Sequence, residues 1–141
     1  NNLGVAALYK GETSKAIEYF SAASGAGKQV DYNMGIVSIT RAEYDKAVKY
    51  FGDSNKPNAA LAKILAGDNN GALKTLEACD KNCPMASYLK AVVGARTAKE
   101  NLLLESLEAA CKLDPKMKQA AKTDLEFAKY FENPKFKSLV D

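Results

Sequence analysis

The side chains of this chain that could do chemistry are three thiols, a scatter of carboxylates and a recurring asparagine. There is no histidine among its 141 residues, which removes the commonest general base and the commonest transition-metal ligand. Cys79, Cys83 and Cys111 cannot close a zinc site by themselves, because that needs a fourth ligand and a different spacing. No metal and no cofactor are therefore expected. Cys79 and Cys83 flank a turn just before Pro84 and have two readings. A disulfide between them would pin that turn and belongs to an oxidising compartment such as a periplasm; alternatively the thiols are reduced, with Cys79 a small buried hydrophobe. Ser24-Gly25-Ala26-Gly27-Lys28 has the glycines and lysine of a phosphate loop but neither its spacing nor its strand, so it reads as a turn. Glu12, Glu18, Glu43, Glu77, Glu105 and Glu108 form no obvious facing pair. No catalytic residue is predicted, and the chain reads as non-enzymatic.

What positions these groups is an internal register. Small residues at Gly4, Gly35, Ala60 and Ala91 are each followed, at offsets of 7, 12, 16 and 19, by matching classes. The offset of 7 gives Gly11, Ala42, Gly67 and Ala98, and that of 12 gives Ala16, Ala47, Ala72 and Leu103. The offset of 16 gives Phe20, Phe51, Leu76 and Leu107, and that of 19 gives Ala23, Ser54, Cys79 and Ala110. Such offsets are those of two short amphipathic helices joined by a tight turn. Two helix axes approach closely only where a side chain is absent or very short, which accounts for the small columns; the large residue fills the space beside the contact. In the first unit Gly11 can close one helix and Thr13 can cap the next.

Asn2-Leu3-Gly4, Gly11, Ala16 and Phe20, repeated as Asn33-Met34-Gly35, Ala42, Ala47 and Phe51, resemble the tetratricopeptide repeat family. The resemblance implies an all-α, right-handed α-solenoid of about four helix-turn-helix repeats plus a C-terminal capping helical segment. The units run about 1–27, 28–54, 55–83 and 84–114, with the cap at 115–141, in a single domain. The family period is about 34 residues, whereas the small residues at 4, 35, 60 and 91 give strides of 31, 25 and 31. The short stride falls at Gly52-Asp53-Ser54-Asn55-Lys56-Pro57, so the second helix of unit two must stop early and unit three should open near Pro57. The array should bend or retwist there.

Two residues before each small anchor stand Asn2, Asn33 and Asn58, with Leu89 breaking the series. In the resembled family this column lies along the concave groove, where some members hold an extended peptide on an asparagine ladder; an amide both donates and accepts, so it can pair with any peptide unit. Asparagine also caps helix starts, and both readings stand. By the same resemblance the groove presents Val5, Tyr9, Tyr32, Ile36, Thr40, Leu61, Leu65, Tyr88, Val92 and Arg96, an apolar lining with tyrosines suited to a peptide or protein segment. The family's two-lysine clamp for a terminal carboxylate is not matched, since Asn1 and Val5 stand in its place. The implied function is a non-catalytic protein-protein interaction scaffold. The alternative is a structural or oligomerisation module that supports an upstream domain or self-association.

Twenty Lys and Arg against 17 Asp and Glu give a net charge of +3, spread along the chain without the basic stripe of a nucleic-acid binder. Lys112, Lys116, Lys118, Lys122 and Lys129 are interleaved with acids and read as a solvated face. No stretch has the length and apolarity of a membrane span. The chain opens at Asn1 inside a helical pattern, and we read it as the C-terminal fragment of a longer protein. After Pro115, Met117 to Lys122 and Leu125 to Phe131 read as a helix pair, and Asn133-Pro134 opens a last helix to Val140. Leu125, Phe127, Ala128, Phe131, Phe136 and Leu139 should cover the end of the array. Asp124-Leu125-Glu126-Phe127 with Asn133-Pro134-Lys135-Phe136 resembles the closing segments of several bacterial tetratricopeptide-repeat proteins, which implies that Asp141 lies near the natural end; the localisation stays open, with a periplasm or cell envelope favoured over the cytoplasm.

Overall fold

The computed structural model describes all 141 residues, and the fold is all-α, with ten α-helices, one 3-10 helix and no strand. The chain divides into two compact units, Asn1–Ser54 and Asn55–Asp141. The division falls inside the compressed stride, where α4 stops at Phe51 and α5 opens at Pro57.

The first unit contains α1 (Asn2–Tyr9), α2 (Thr13–Ala22), α3 (Lys28–Thr40) and α4 (Tyr44–Phe51). They pair as two hairpins, α1 with α2 and α3 with α4, and α2 packs on α3. Ala7, Ala16, Phe20, Val30 and Val37 form one core cluster, and Ala47 and Phe51 are buried as well. The second unit contains α5 (Pro57–Leu65), α6 (Asn69–Glu77), α7 (Pro84–Arg96) and α8 (Glu100–Leu113), then α9 (Lys116–Thr123), a 3-10 helix (Leu125–Tyr130) and α10 (Pro134–Val140). Here α5 pairs with α6 and α7 with α8, and α7 packs on both α5 and α6. Ile64, Leu76, Leu103, Leu107, Phe127 and Phe136 are among its fully buried side chains.

The register has a common geometry in all four hairpins. Gly11, Ala42, Gly67 and Ala98 adopt φ of 74°, 57°, 87° and 54°, the left-handed conformation that ends a helix. Each time the N–H of the next residue donates back to the carbonyl five residues earlier: Glu12 to Ala7 at 2.9 Å, Glu43 to Ser38 at 2.9 Å, Asp68 to Lys63 at 2.8 Å and Lys99 to Gly94 at 2.8 Å. This is the Schellman closure, which satisfies carbonyls orphaned at a helix end. Because that closure is tight, the residue after the left-handed one already serves as the N-cap of the second helix. Glu12 holds this place in the first hairpin, and Thr13, expected to cap, is the first helical residue. Only the aspartate of the series caps with its side chain, Asp68 accepting from the Gly71 N–H at 2.8 Å.

The small and large columns exchange volume. A Cβ built on Gly4 would collide with the ring of Phe20, and one on Gly35 would lie 2.7 Å from Cε1 of Phe51. In the third and fourth hairpins the anchors are Ala60 and Ala91, and the partner positions hold the smaller Leu76 and Leu107, all buried. Glycine faces phenylalanine and alanine faces leucine, so the filled volume beside each helix crossing is nearly conserved.

The closing segment departs from expectation at one element. Leu125–Tyr130 forms a 3-10 helix, not an α-helix, and Leu125 is 81 % exposed and covers nothing. Side chains three apart eclipse in that geometry. Phe127 and Tyr130 therefore share the inner row, Phe127 fully buried, while Leu125 and Ala128 share the outer one. The Asp124 carboxylate starts the turn by accepting from the Glu126 N–H at 3.0 Å. Asn133 opens α10 as the sequence indicates, its side-chain oxygen accepting from the N–H groups of Lys135 and Phe136.

Candidate functional site

On α1, Asn2 is exposed, Val5 is half-buried and Tyr9 is 90 % exposed. On α3, Tyr32 and Ile36 are half-buried, and the Tyr32 ring stands edge-on to Phe51 with centroids 5.1 Å apart. Thr40 is exposed, and its hydroxyl donates to the Val37 carbonyl at 2.8 Å, a bond internal to its own helix. Asn33 is 7 % exposed and its amide nitrogen donates to the Asn1 side chain at 2.8 Å. The middle asparagine of the column is thus used within the chain, where it ties the start of α1 to α3.

In the second unit, Asn58, Leu61 and Leu65 on α5 are half-buried, with Leu61 packed on the core. Of the three residues expected on α7, two are closed to a ligand, while Arg96 is exposed and hydrogen-bonded within the chain. Tyr88 and Val92 are buried, and the chain's own closing segment bonds to this face. The Tyr88 hydroxyl donates to the Asp124 carboxylate at 2.8 Å, and its ring meets Phe127 edge-on at 5.5 Å. Arg96 donates from Nε to Glu126 at 2.8 Å and forms a second bond from Nη2 to the other carboxylate oxygen, while Nη1 donates to the Ile64 carbonyl at 2.7 Å. One guanidinium thereby joins the end of α5 to the closing segment. Burial and the donated bond to Asp124 hold the Tyr88 phenol far above the usual tyrosine range. The Arg96 guanidinium draws the Glu126 carboxyl below its ordinary value against a smaller opposing effect of burial.

Asn1, Asp124 and Glu126 are the partners that reading the sequence left unassigned. The acids carried a usable signal: Arg96 is one of only two arginines in the chain, and planar guanidinium groups favour a bidentate carboxylate. Nothing in the sequence says which carboxylate that is.

The cysteines are unpaired in this structure, with Cys79 and Cys111 buried and Cys83 half-buried. The Cys79–Cys83 disulfide weighed above is absent; the Cys79 thiol instead approaches the Asn55 carbonyl at 2.8 Å and that of Thr75 at 3.4 Å. Burial raises its pKa, with the neighbouring Cys83 adding to the rise and Lys90 opposing it. No group of three or more His, Cys, Asp or Glu side chains is arranged to hold a metal ion. No helix is long and apolar enough to cross a membrane.

Compared with known proteins, the chain matches no protein-family model and no curated protein. Any functional reading therefore stands on the residues and their geometry.

Proposed function

We propose that the chain is a non-catalytic interaction module of the tetratricopeptide-repeat type, a right-handed solenoid of helix hairpins that takes a peptide or protein segment along its first helices. The observation that carries this reading is the surface of the first unit. Tyr9, nine-tenths exposed, stands on the same helix as half-buried Val5, and α3 contributes half-buried Tyr32 and Ile36. An exposed tyrosine such as Tyr9 on a rigid helix gives large contact area for little entropy, which is how binding anchors are built. The shared Schellman closures and the glycine-phenylalanine exchange support the repeat assignment. On α7 the buried Tyr88 and Val92 are left out of the proposed site, Tyr88 being held by Asp124 and Phe127, while exposed Arg96 is paired with Glu126. The cell-envelope setting rests on the resemblance to bacterial repeat proteins.

A photo-crosslinking residue substituted for Tyr9 or Thr40, both exposed, should capture a common partner in cells, and one substituted for exposed Lys129 should not. No capture from position 9 or 40 would sink the reading. A second reading, self-association, is favoured by Leu3, which is 64 % exposed on α1. Its sign would be capture of a second copy alone, together with a sedimentation coefficient that falls to the monomer value in Leu3→Glu.

A further inference from the structure

Three lysines from three helices meet around one hollow in the second unit. Lys112 leaves the last turn of α8, Lys118 the first turn of α9 and Lys135 the first turn of α10. They line an open cleft of about 410 Å³ together with Glu108, Cys111, Ser138 and Leu139. In sequence Lys112 and Lys118 fall among interleaved acids and read as solvated; the fold places both on one cleft and adds Lys135. The cleft keeps one carboxylate, Glu108, which is ion-paired to Lys112 at 2.7 Å. Lys118 and Lys135 stand in no ion pair, although Lys122 and Lys137 nearby in sequence each have one.

Like charges gathered on one concavity repel one another and attract a counter-charge, and the effect is stronger in a cleft than on a convex surface. The donors are ammonium groups, compact point charges with three N–H each, and two of them left unpaired suit a doubly charged phosphate monoester better than a singly charged carboxylate. Ser138 adds a hydroxyl donor. On the other side, buried Cys111 and half-buried Leu139 offer an apolar wall. The volume falls within the range of small-molecule sites, about 300–1,000 Å³, and exceeds what a bare phosphate fills.

We propose that this cleft binds a small phosphomonoester, with the phosphate among Lys118, Lys135 and the Ser138 hydroxyl and the organic part against Leu139 and Cys111. The site is separate from the first-helix surface and does not depend on the interaction reading.

Phenyl phosphate is the probe, followed by amide chemical shifts and by mass-spectrometric mapping of iodoacetamide alkylation at Cys111. Wild type should bind it saturably, with a dissociation constant on the order of 1 mM or tighter. Binding should weaken as salt rises and slow alkylation of Cys111 but not of Cys83. The double variant Lys118→Gln/Lys135→Gln, whose unchanged circular dichroism will show that it folds, should bind about tenfold more weakly or worse and lose the protection of Cys111. Inorganic phosphate should bind more weakly than phenyl phosphate, and benzoate more weakly still. The proposal is overturned by no saturation at about 10 mM, by equal binding in the double variant, by benzoate matching phenyl phosphate, or by inorganic phosphate matching it.

Discussion

Replacing Ala42 or Ala98 by glycine should make the protein more stable, although glycine inside a helical protein usually does the opposite. Both alanines close a hairpin with φ of 57° and 54°. A residue with a Cβ pays about 1–2 kcal/mol to sit in that left-handed region. Glycine avoids this but gives up about 0.4–1 kcal/mol more chain entropy on folding. The balance leaves Ala42→Gly and Ala98→Gly each about 0.5–1 kcal/mol more stable. The reverse changes, Gly11→Ala and Gly67→Ala, should cost about as much. There a Cβ would meet nothing within 4 Å, so packing does not enter. Urea unfolding followed by far-ultraviolet circular dichroism measures the effect: with a slope of about 1–2 kcal/mol per molar, the midpoint rises by roughly 0.5 M. Ala6→Gly, at an exposed interior position of α1, is the control and should lower the midpoint by about as much, since there glycine costs about 1 kcal/mol of helix propensity. If Ala42→Gly lowers the midpoint as Ala6→Gly does, the left-handed closure is not what that column selects.

Gly35→Ala should destabilise by about 1–3 kcal/mol through overpacking against Phe51, and Phe51→Leu should recover part of the loss in a double-mutant cycle, because Ala with Leu is the pairing used at Ala60 and Leu76. Glu126→Gln should cost about 0.5–1 kcal/mol at neutral pH for this partly exposed pair; Arg96 lowers the folded-state pKa below the ordinary 4.5, so the stability is fully present above that value, and equilibrium unfolding should show wild type and variant converging as pH falls through the depressed value. Tyr88 is raised above its ordinary value of 10, so only the unfolded state ionises as pH climbs past 10 and stability should fall there; unfolding across alkaline pH should show a shallower fall in Tyr88→Phe.

Sequence and structure agree where the determinants are local. The left-handed position, the small anchor and the large residue 16 places after it act within a single hairpin, so their spacing could be read directly, even at Ala42 and Ala98, where no glycine marks the turn. The 3-10 geometry of Leu125–Tyr130 could not be read, because an apolar row every third or fourth residue serves both helix types. Asn33 failed in the same way. Its column allowed either a ladder or a helix cap, and only the position of Asn1 decided that its amide is used internally.

The sequence by itself determined the hairpins, their closures and the place where the register is compressed, since each depends on side-chain size and backbone freedom within one hairpin. Only the tertiary structure decided which polar groups meet. Arg96 found Glu126, Tyr88 found Asp124, and Lys112, Lys118 and Lys135 came to one cleft. Those meetings join helices whose order in the chain says nothing of their distance in space, and a charge acts on whatever the packed core brings within a few ångströms of it.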